Sequence, residues 1–371
     1  MCEEYSIHKR IFEHHALFGS HYEIGYKQGE LLKNKEREYK FYTSGKFNKK
    51  KSKFNNFEEI VEFYDSYCPG LREECKGFAD ALNVKEENLT IYDFPFSSEK
   101  GCSHLAILPA LTENNEILVG RSYEWNFRDE DLEFRSTKVN GKYKHLGFSG
   151  MIFGRYDGIN EKGLCVTYSA GGAWNAKFQK KGLNWSLAVR VLLDNCKNTE
   201  EAVNTLTEIP VDWSSNFIII DSNAHGALVE SIDSDYDIVR FDDKSEKQYI
   251  LATNHFVLPN KIPFNKYNNP WLLPNSEKRR EIIEDFIEKN SGKITEKTIE
   301  KLLANEFPAG LCCHWQSDGF GTDWSMIINV SQRRVQSCFG PPTHNPWYDF
   351  NLKDKVVRSK YEVTFVDKRI T

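Results

Sequence analysis

No apolar run in this chain is long enough to cross a bilayer, and Met1-Cys2-Glu3-Glu4 does not open a signal peptide. The expectation is a soluble, cytoplasmic protein with no membrane partner. There is no CxxC pair and no disulfide-like spacing among the nine cysteines, at 2, 68, 75, 102, 165, 196, 312, 313 and 338. An odd set of reduced thiols fits the cytosol and excludes a disulfide scaffold or a zinc ribbon. Cys312-Cys313-His314 has metal-binding residue types, but adjacent residues rarely converge on one ion and no second ligand pair accompanies them. No metal and no organic cofactor is therefore expected. The net charge of −5 is mild, and no Lys/Arg run is long or aromatic enough for a nucleic-acid groove; Lys49 to Lys53 is a short basic stretch. It reads as a solvated loop, which excludes a nucleic-acid groove. There is no internal repeat. The oligomeric state stays open.

What is present is a chain of 371 residues, 40% hydrophobic and 13% aromatic. That is enough for a large core in one big domain or two ordinary ones. The first hundred or so residues read mainly as helical. Tyr22–Leu32, Phe57–Tyr67 and Leu71–Leu82 are amphipathic, the last with Leu71, Cys75, Phe78, Ala79 and Leu82 on one face. Gly25 and Gly29 share a helical face, and glycine costs helix stability, so the pair predicts close packing against another element. Asn83-Val84-Lys85-Glu86-Glu87 reads as a helix exit and re-entry.

After Gly101 the pattern changes. Short apolar runs alternate with turn signals at 105–108, 117–119, 151–153, 164–168, 217–220, 227–230, 250–253, 324–330 and 335–339. Asn114-Asn115 and Asn140-Gly141 are hairpin turns by composition. Helical patterns over 186–196, 199–208, 276–289 and 295–305 interrupt the strands. Strands, then helices, then strands point to stacked antiparallel sheets with helices outside. The Asn- and Pro-rich stretch 260–274 reads as a loop bordering a cleft.

Gly101-Cys102 stands at the head of this β-rich half. Thiolate is the strongest ordinary side-chain nucleophile. A cysteine after glycine at a strand start can be freed by self-cleavage. Its own α-amine, with a pKa of about 7.7–8.0, then serves as general base. A lone Gly-Cys pair says little, because most intracellular cysteines are small buried hydrophobes. Three later segments carry the case: Gly120-Arg121-Ser122-Tyr123-Glu124-Trp125, Asp157-Gly158-Ile159-Asn160-Glu161-Lys162-Gly163-Leu164, and Ala252-Thr253-Asn254-His255-Phe256. Gly19-Ser20-His21-Tyr22-Glu23-Ile24-Gly25 and Leu71-Arg72-Glu73-Glu74-Cys75-Lys76-Gly77-Phe78-Ala79 precede them. In order and spacing this resembles the isopenicillin-N acyltransferase family of N-terminal-nucleophile hydrolases, cousins of the choloylglycine hydrolases and penicillin V acylases, over nearly the whole chain.

The resemblance implies an α+β fold, a four-layer αββα sandwich with an N-terminal helical leader. It implies self-cleavage between Gly101 and Cys102 into a leader, 1–101, and a core, 102–371, that stay associated. The implied activity is that of a cysteine amidohydrolase or acyltransferase acting on a small-molecule N-acyl amide or acyl thioester. Carried over by position, Cys102 is nucleophile and base. Arg121 matches the arginine of the family's Gly-Arg-Asn-x-Asp-Trp motif, beside the nucleophile. Glu124 takes the aspartate position that holds the cysteine amine, and Asn254 is placed near oxyanion and amine. Oxyanion or substrate contacts are implied near Tyr168 and Ser169, and His104 shares the strand face of Cys102. The departures are Glu124 for aspartate, Ser122 for asparagine, and a late family arginine with no secure match. Arg333 and Arg334 are nearby but fall in a hairpin pattern, with Asp323 where the arginine is sought.

Other readings stay beside these. Arg121 can be a surface arginine, Glu124 an exposed strand acid and Asn254 a turn cap. Asp157 to Gly163 reads as a structural turn without chemistry, and His255 as a packed neighbour. An uncut relative that only binds a ligand is the second class of function. A Cys102 protease paired with His225 or His255 is the third, and it lacks the preceding helix such enzymes need.

Overall fold

The computed structural model describes residues 5–50, 52–92, 101–356 and 359–368. Cys2 and Lys51 lie outside them. In chain order the elements are β1 (Tyr5–Gly19), α1 (His21–Leu32), α2 (Glu36–Tyr42), α3 (Phe57–Tyr67), α4 (Leu71–Leu82), β2 (Gly101–Ile107), β3 (Leu118–Trp125), β4 (Glu133–Val139), β5 (His145–Gly150), β6 (Gly154–Arg155), β7 (Asp157–Asn160) and β8 (Cys165–Ala170). Then come α5 (Trp185–Asn195), α6 (Thr199–Glu208), β9 (Ser214–Ile220), β10 (Gly226–Ile232), β11 (Asp235–Phe241), β12 (Tyr249–Ala252), α7 (Leu272–Lys289), α8 (Glu296–Ala304), β13 (His314–Trp315), β14 (Phe320–Asn329), β15 (Arg334–Phe339), β16 (Trp347–Asn351) and β17 (Lys360–Lys368).

The strands form two sheets. The larger runs β11-β10-β9-β8-β7-β5-β4-β1-β17, with β6 on β5; the smaller runs β12-β2-β3-β14-β15-β16, with β13 on β14. Their inner faces bury aromatic rings against each other. Phe148 of β5 stacks on Trp324 of β14 at 3.8 Å, and Phe12 of β1 on Phe339 of β15 at 4.8 Å. Helices α5 and α6 cover the outer face of the larger sheet, and α7 and α8 that of the smaller. A second apolar cluster, with Leu105, Ile107, Leu118, Ile283, Ile287 and Ile299, joins β2 and β3 to α7 and α8. The result is the expected mixed αββα layering. The helices begin where the sequence supplies caps. Ser20 and Glu23 close a capping box on α1, and Asn56 and Asn198 cap α3 and α6.

Three expectations need correction. The first hundred residues, expected to be mainly helical, open on a long strand over residues 5–19. It runs antiparallel to β17 and parallel to β4. Its outward positions Tyr5, Ile7 and Ile11 are apolar and exposed, while Phe12 and Leu17 are buried, so the chain carries no clean period of two. Met151–Phe153 is no strand. Met151 and Ile152 have φ of 54° and 62°, a tight turn between β5 and β6. Asp157–Asn160 is a strand, and the turn begins only at Glu161.

Helices α1 and α4 pack in contact, as the glycine spacing predicts. A Cβ on Gly25 would lie 1.8 Å from the Glu74 carbonyl oxygen. A buried ionic cluster then ties this N-terminal helix pair to the rest. Glu74 accepts from both Arg190 terminal nitrogens, at 2.8 and 2.7 Å, and from Gln28 Nε2 at 2.7 Å. Burial alone would raise the Glu74 pKa, but Arg190 and His21 hold it well below the usual carboxylate range. Glu74→Ala removes the carboxylate that engages both terminal nitrogens of buried Arg190 and leaves it only Asp194, 3.3 Å from Nε, as counter-ion, which costs up to about 3–5 kcal/mol. A urea titration measures this; a free energy equal to the parent's would refute the clamp.

Candidate active site

Strands β2 and β3 pair so that Cys102 faces Tyr123 and His104 faces Arg121. Directly opposed residues point to the same face. Cys102, His104, Arg121 and Tyr123 thus look into the space between the sheets, while Gly101, Ser103, Ser122 and Glu124 look toward α7. The site is built on both sides of one strand pair.

On the inner side, Arg121 Nη2 donates to Cys102 Sγ at 3.3 Å. Arg121 is fully buried and lies 5.0 Å over the Trp324 ring. Its Nε is 3.3 Å from Asp157 Oδ2 of β7, in the other sheet. Asp157, which the sequence suggested was a turn residue without chemistry, is thus the counter-ion of the arginine on the sulfur. Burial pushes the Asp157 carboxyl up to about 7 against the pull of Arg121. Burial also raises the Cys102 thiol, and Arg121 opposes that rise.

On the α7 side stands an arginine that sequence reasoning missed. Arg279 Nη1 donates to the Cys102 carbonyl and, at 2.9 Å, to Ser103 Oγ. Its Nη2 donates to Asn254 Oδ1 at 2.8 Å. That same Asn254 oxygen accepts the Cys102 backbone N–H at 2.7 Å, while Asn254 Nδ2 donates to the Ala170 carbonyl at 3.2 Å. The signal for Arg279 lay in the helix period. Ser276, Arg279, Ile283 and Ile287 form the buried stripe of α7, and a charge inside an apolar stripe needs a partner. Arg334 instead pairs with Glu296 and Asp349, and Arg333 occupies a turn with φ of 55°.

Glu124 is fully buried behind Gly101. Its Oε1 accepts the Ser122 hydroxyl, and its Oε2 has no hydrogen-bond partner among the described residues. Burial raises its pKa, opposed by Arg279, Ser122 and Arg121. The two departures from the family motif therefore meet: the short Ser122 side chain engages the longer Glu124.

The remaining candidates are engaged in packing. His104 bridges the sheets, with Nδ1 2.7 Å from Thr167 Oγ1 and Nε2 3.0 Å from Ser169 Oγ. Burial drives its pKa far down, so it stays neutral. Ser169 donates its hydroxyl to the Thr253 carbonyl at 2.6 Å. The Tyr168 ring stacks on Trp185 of α5 at 4.0 Å. His255 Nδ1 sits 2.8 Å from Ser276 Oγ, in the network that fixes the Asn254 backbone. Glu13, His15 and Glu133 have metal-like spacing, but Lys35 Nζ already supplies a cation there, 2.9 Å from Glu133 Oε1. Cys312 Sγ lies 3.7 Å from His314 Nε2. No helix among the described residues is long and apolar enough to cross a membrane.

The arrangement holds one amide N–H by an acceptor, with a thiol beside it under a permanent positive charge. It suits attack of sulfur on a carbonyl and departure of an amine. The family model described as acyl-coenzyme A:6-aminopenicillanic acid acyl-transferase matches residues 111–344, a stretch that contains Arg121, Glu124, Asp157, Asn254 and Arg279 but begins after Cys102. Among solved structures, penicillin V acylase from Agrobacterium tumefaciens is similar at 19% identity, covering 67% of this chain and 86% of its own, with a TM-score of 0.44. A mutant of the conjugated bile acid hydrolase from Clostridium perfringens is similar at 10% identity, covering 71% and 96%, with a TM-score of 0.41. A comparison with curated protein sequences finds no match.

Proposed function

The chain belongs to the acyl-coenzyme A:6-aminopenicillanic acid acyl-transferase family, and from that premise we propose that it is a self-processing cysteine amidohydrolase or acyltransferase with Cys102 as nucleophile. The observation that carries the proposal is the pair of contacts at Cys102: its N–H on Asn254 Oδ1 at 2.7 Å and its sulfur under Arg121 at 3.3 Å. The amide that must break and the thiol that must attack are held by separate groups.

The first reaction is on the chain itself. Cys102 Sγ bonds to the Gly101 carbonyl carbon, the carbon–nitrogen bond breaks, and the nitrogen takes the thiol proton. Water then hydrolyses the thioester, releasing the Gly101 carboxylate and a free Cys102 thiol with a free α-amine. In the second reaction that amine accepts the thiol proton as sulfur attacks the substrate carbonyl, and returns it to the leaving amine. Water or a second amine resolves the acyl-enzyme. Arg121, oriented by Asp157, favours the charged sulfur. Tyr168 and Ser169 are taken by Trp185 and Thr253, so the oxyanion donor in this scheme is Asn254 Nδ2, on release of its 3.2 Å contact with the Ala170 carbonyl, a term worth about 3 kcal/mol. Arg279 locks the Asn254 carbonyl toward the amine. No step requires a metal or organic cofactor.

The leader, 1–101, stays with the core, 102–371, because β1 is an inner strand of the larger sheet and Glu74 is clamped by Arg190. The purified protein is expected to give two bands on a denaturing gel that co-elute under native conditions. N-terminal sequencing of the larger band should read Cys-Ser-His-Leu. A different start, or an intact chain that is active, sinks the scheme. An intact and inactive chain supports the uncut binding relative instead.

A further inference from the structure

Gly101 is a glycine for reasons of space. A Cβ built on it lies 2.4 Å from Phe320 Cζ, 2.5 Å from Phe320 Cε2 and 2.9 Å from Glu124 Cβ. Real Cβ atoms do not approach so closely, and neither neighbour can yield easily. Phe320 is 1% exposed and wedged among Trp271, at 5.0 Å edge-on, Trp315, at 6.2 Å, and the Arg279 guanidinium, at 5.5 Å. Glu124 is fully buried and belongs to β3. Trp271 is 45% exposed, so this aromatic wall runs from the Gly101 α-carbon outward to solvent.

Gly101 also has a chemical identity in the reaction. It is the acyl half of the bond that breaks, and its carbonyl carbon becomes the first acyl group on Cys102. Substrate acyl groups form the same thioester on the same sulfur, so their α-carbon must stand where the Gly101 α-carbon stands. From this we infer that the acyl subsite admits groups with an unbranched α-carbon and an apolar body. The Phe320 ring, with Glu124 Cβ, excludes a branch placed where an L-residue carries its side chain. This rests on the Cys102 acyl-thioester reading above. The acyl body follows the Gly101 Cα–N direction and leaves along Phe320 and Trp271. Phe320 is then a specificity-determining residue that touches the acyl group.

The test uses the processed wild-type protein and three thioester probes of N-acetylcysteamine: pentanoyl and the two enantiomers of α-methylpentanoyl. Thioester exchange moves the acyl group to Cys102 and releases N-acetylcysteamine, and the mass of the larger fragment records it. Pentanoyl is expected to label. The (R)-enantiomer, whose methyl maps onto the L side-chain position, is expected to label at least about tenfold more slowly, the scale of one misplaced methyl group in an apolar site. Phe320→Leu stays apolar but removes the ring tip, and should narrow the ratio of pentanoyl to (R)-α-methylpentanoyl labelling whatever its effect on the pentanoyl rate itself; a thermal melt of the variant reports its fold. A second arm needs no substrate. Gly101→Ala is expected to stall self-cleavage, and Gly101→Ala with Phe320→Leu to restore it.

Equal labelling by pentanoyl and (R)-α-methylpentanoyl overturns the inference while the catalytic reading survives. So does normal self-cleavage of Gly101→Ala. A wild-type chain that neither cuts itself nor takes any probe overturns both, and that result is distinct from the first two.

Discussion

Cys102→Ala is expected to yield a single, uncut, folded chain with no amidase or acyl-transfer activity. Both reactions need the same sulfur, so both vanish together, and no partial phenotype arises. The fold should tolerate the change. Cys102 is 2% exposed and its backbone contacts to Asn254 and Arg279 do not involve the side chain. Loss of one sulfur atom is a small truncation within the ordinary range of about 0.5–3 kcal/mol. The measurement is a denaturing gel beside a thermal melt, with an assay on N-acyl amides. If Cys102→Ala still cuts itself, the nucleophile lies elsewhere. Cys313 is then the next thiol to test, because it shares the field of Arg279 with Cys102. Burial pushes the Cys313 and Cys165 thiols well above their usual range, which argues against either as a spontaneous substitute.

The assignments of Arg121, Glu124 and Asn254 came from the resemblance, and β-strand alternation says which side of the strand pair each must take. Arg121 at one position and Glu124 three residues on must lie on opposite faces of a strand, and the structure puts them there. Arg121 is on the sulfur side and Glu124 behind Gly101. Asn254 stood out only through the resemblance, in Ala252-Thr253-Asn254-His255-Phe256; β12 pairs with β2 itself, which brings Asn254 to Cys102. The helices Phe57–Tyr67, Leu71–Leu82 and Thr199–Glu208 end where their periodicity ends. What could not be read depends on contacts across the fold. Arg279 is far along the chain, and its meaning comes from helix α7 packing over β2. Asp157 looked like a turn acid because Gly158 and Asn160 come directly after it; only the stacking of the two sheets sets it against Arg121. Strand β1 carries charge and exposed apolar residues on its outer face, so its pairing with β4 and β17 leaves no periodic trace. His104 shares the strand face of Cys102 as expected, yet Thr167 and Ser169 of the opposite sheet take both ring nitrogens.

Glu124→Gln is expected to leave the fold intact and slow catalysis by roughly 10²–10⁴, the range for a displaced acid–base partner. The side chains have nearly the same volume, and Gln can still accept from Ser122, so packing survives. On the proposed reading, what is lost is a negative charge that acts on the Cys102 amine, whose N–H rests on Asn254 Oδ1 in the uncut chain. In the processed protein that charge favours the ammonium and raises its pKa. The free amine is the general base, so activity rises with pH through the amine's pKa. Removing the carboxylate lowers that pKa, and the rising limb of the pH profile should move to lower pH even as the maximum falls. A merely structural role for Glu124 would change the rate without moving the limb. Glu124→Asp should be milder, since it restores the length of the family motif but forfeits reach to Ser122. Pairing it with Ser122→Asn, which rebuilds the motif in full, should recover more than either change alone, because the two positions contact each other directly. If Glu124→Gln matches the parent in both rate and pH profile, the amine is held by another acid. Asp323 is then the next to substitute: it is fully buried, on β14 beside β3, and accepts from Gln316 Nε2 at 3.2 Å.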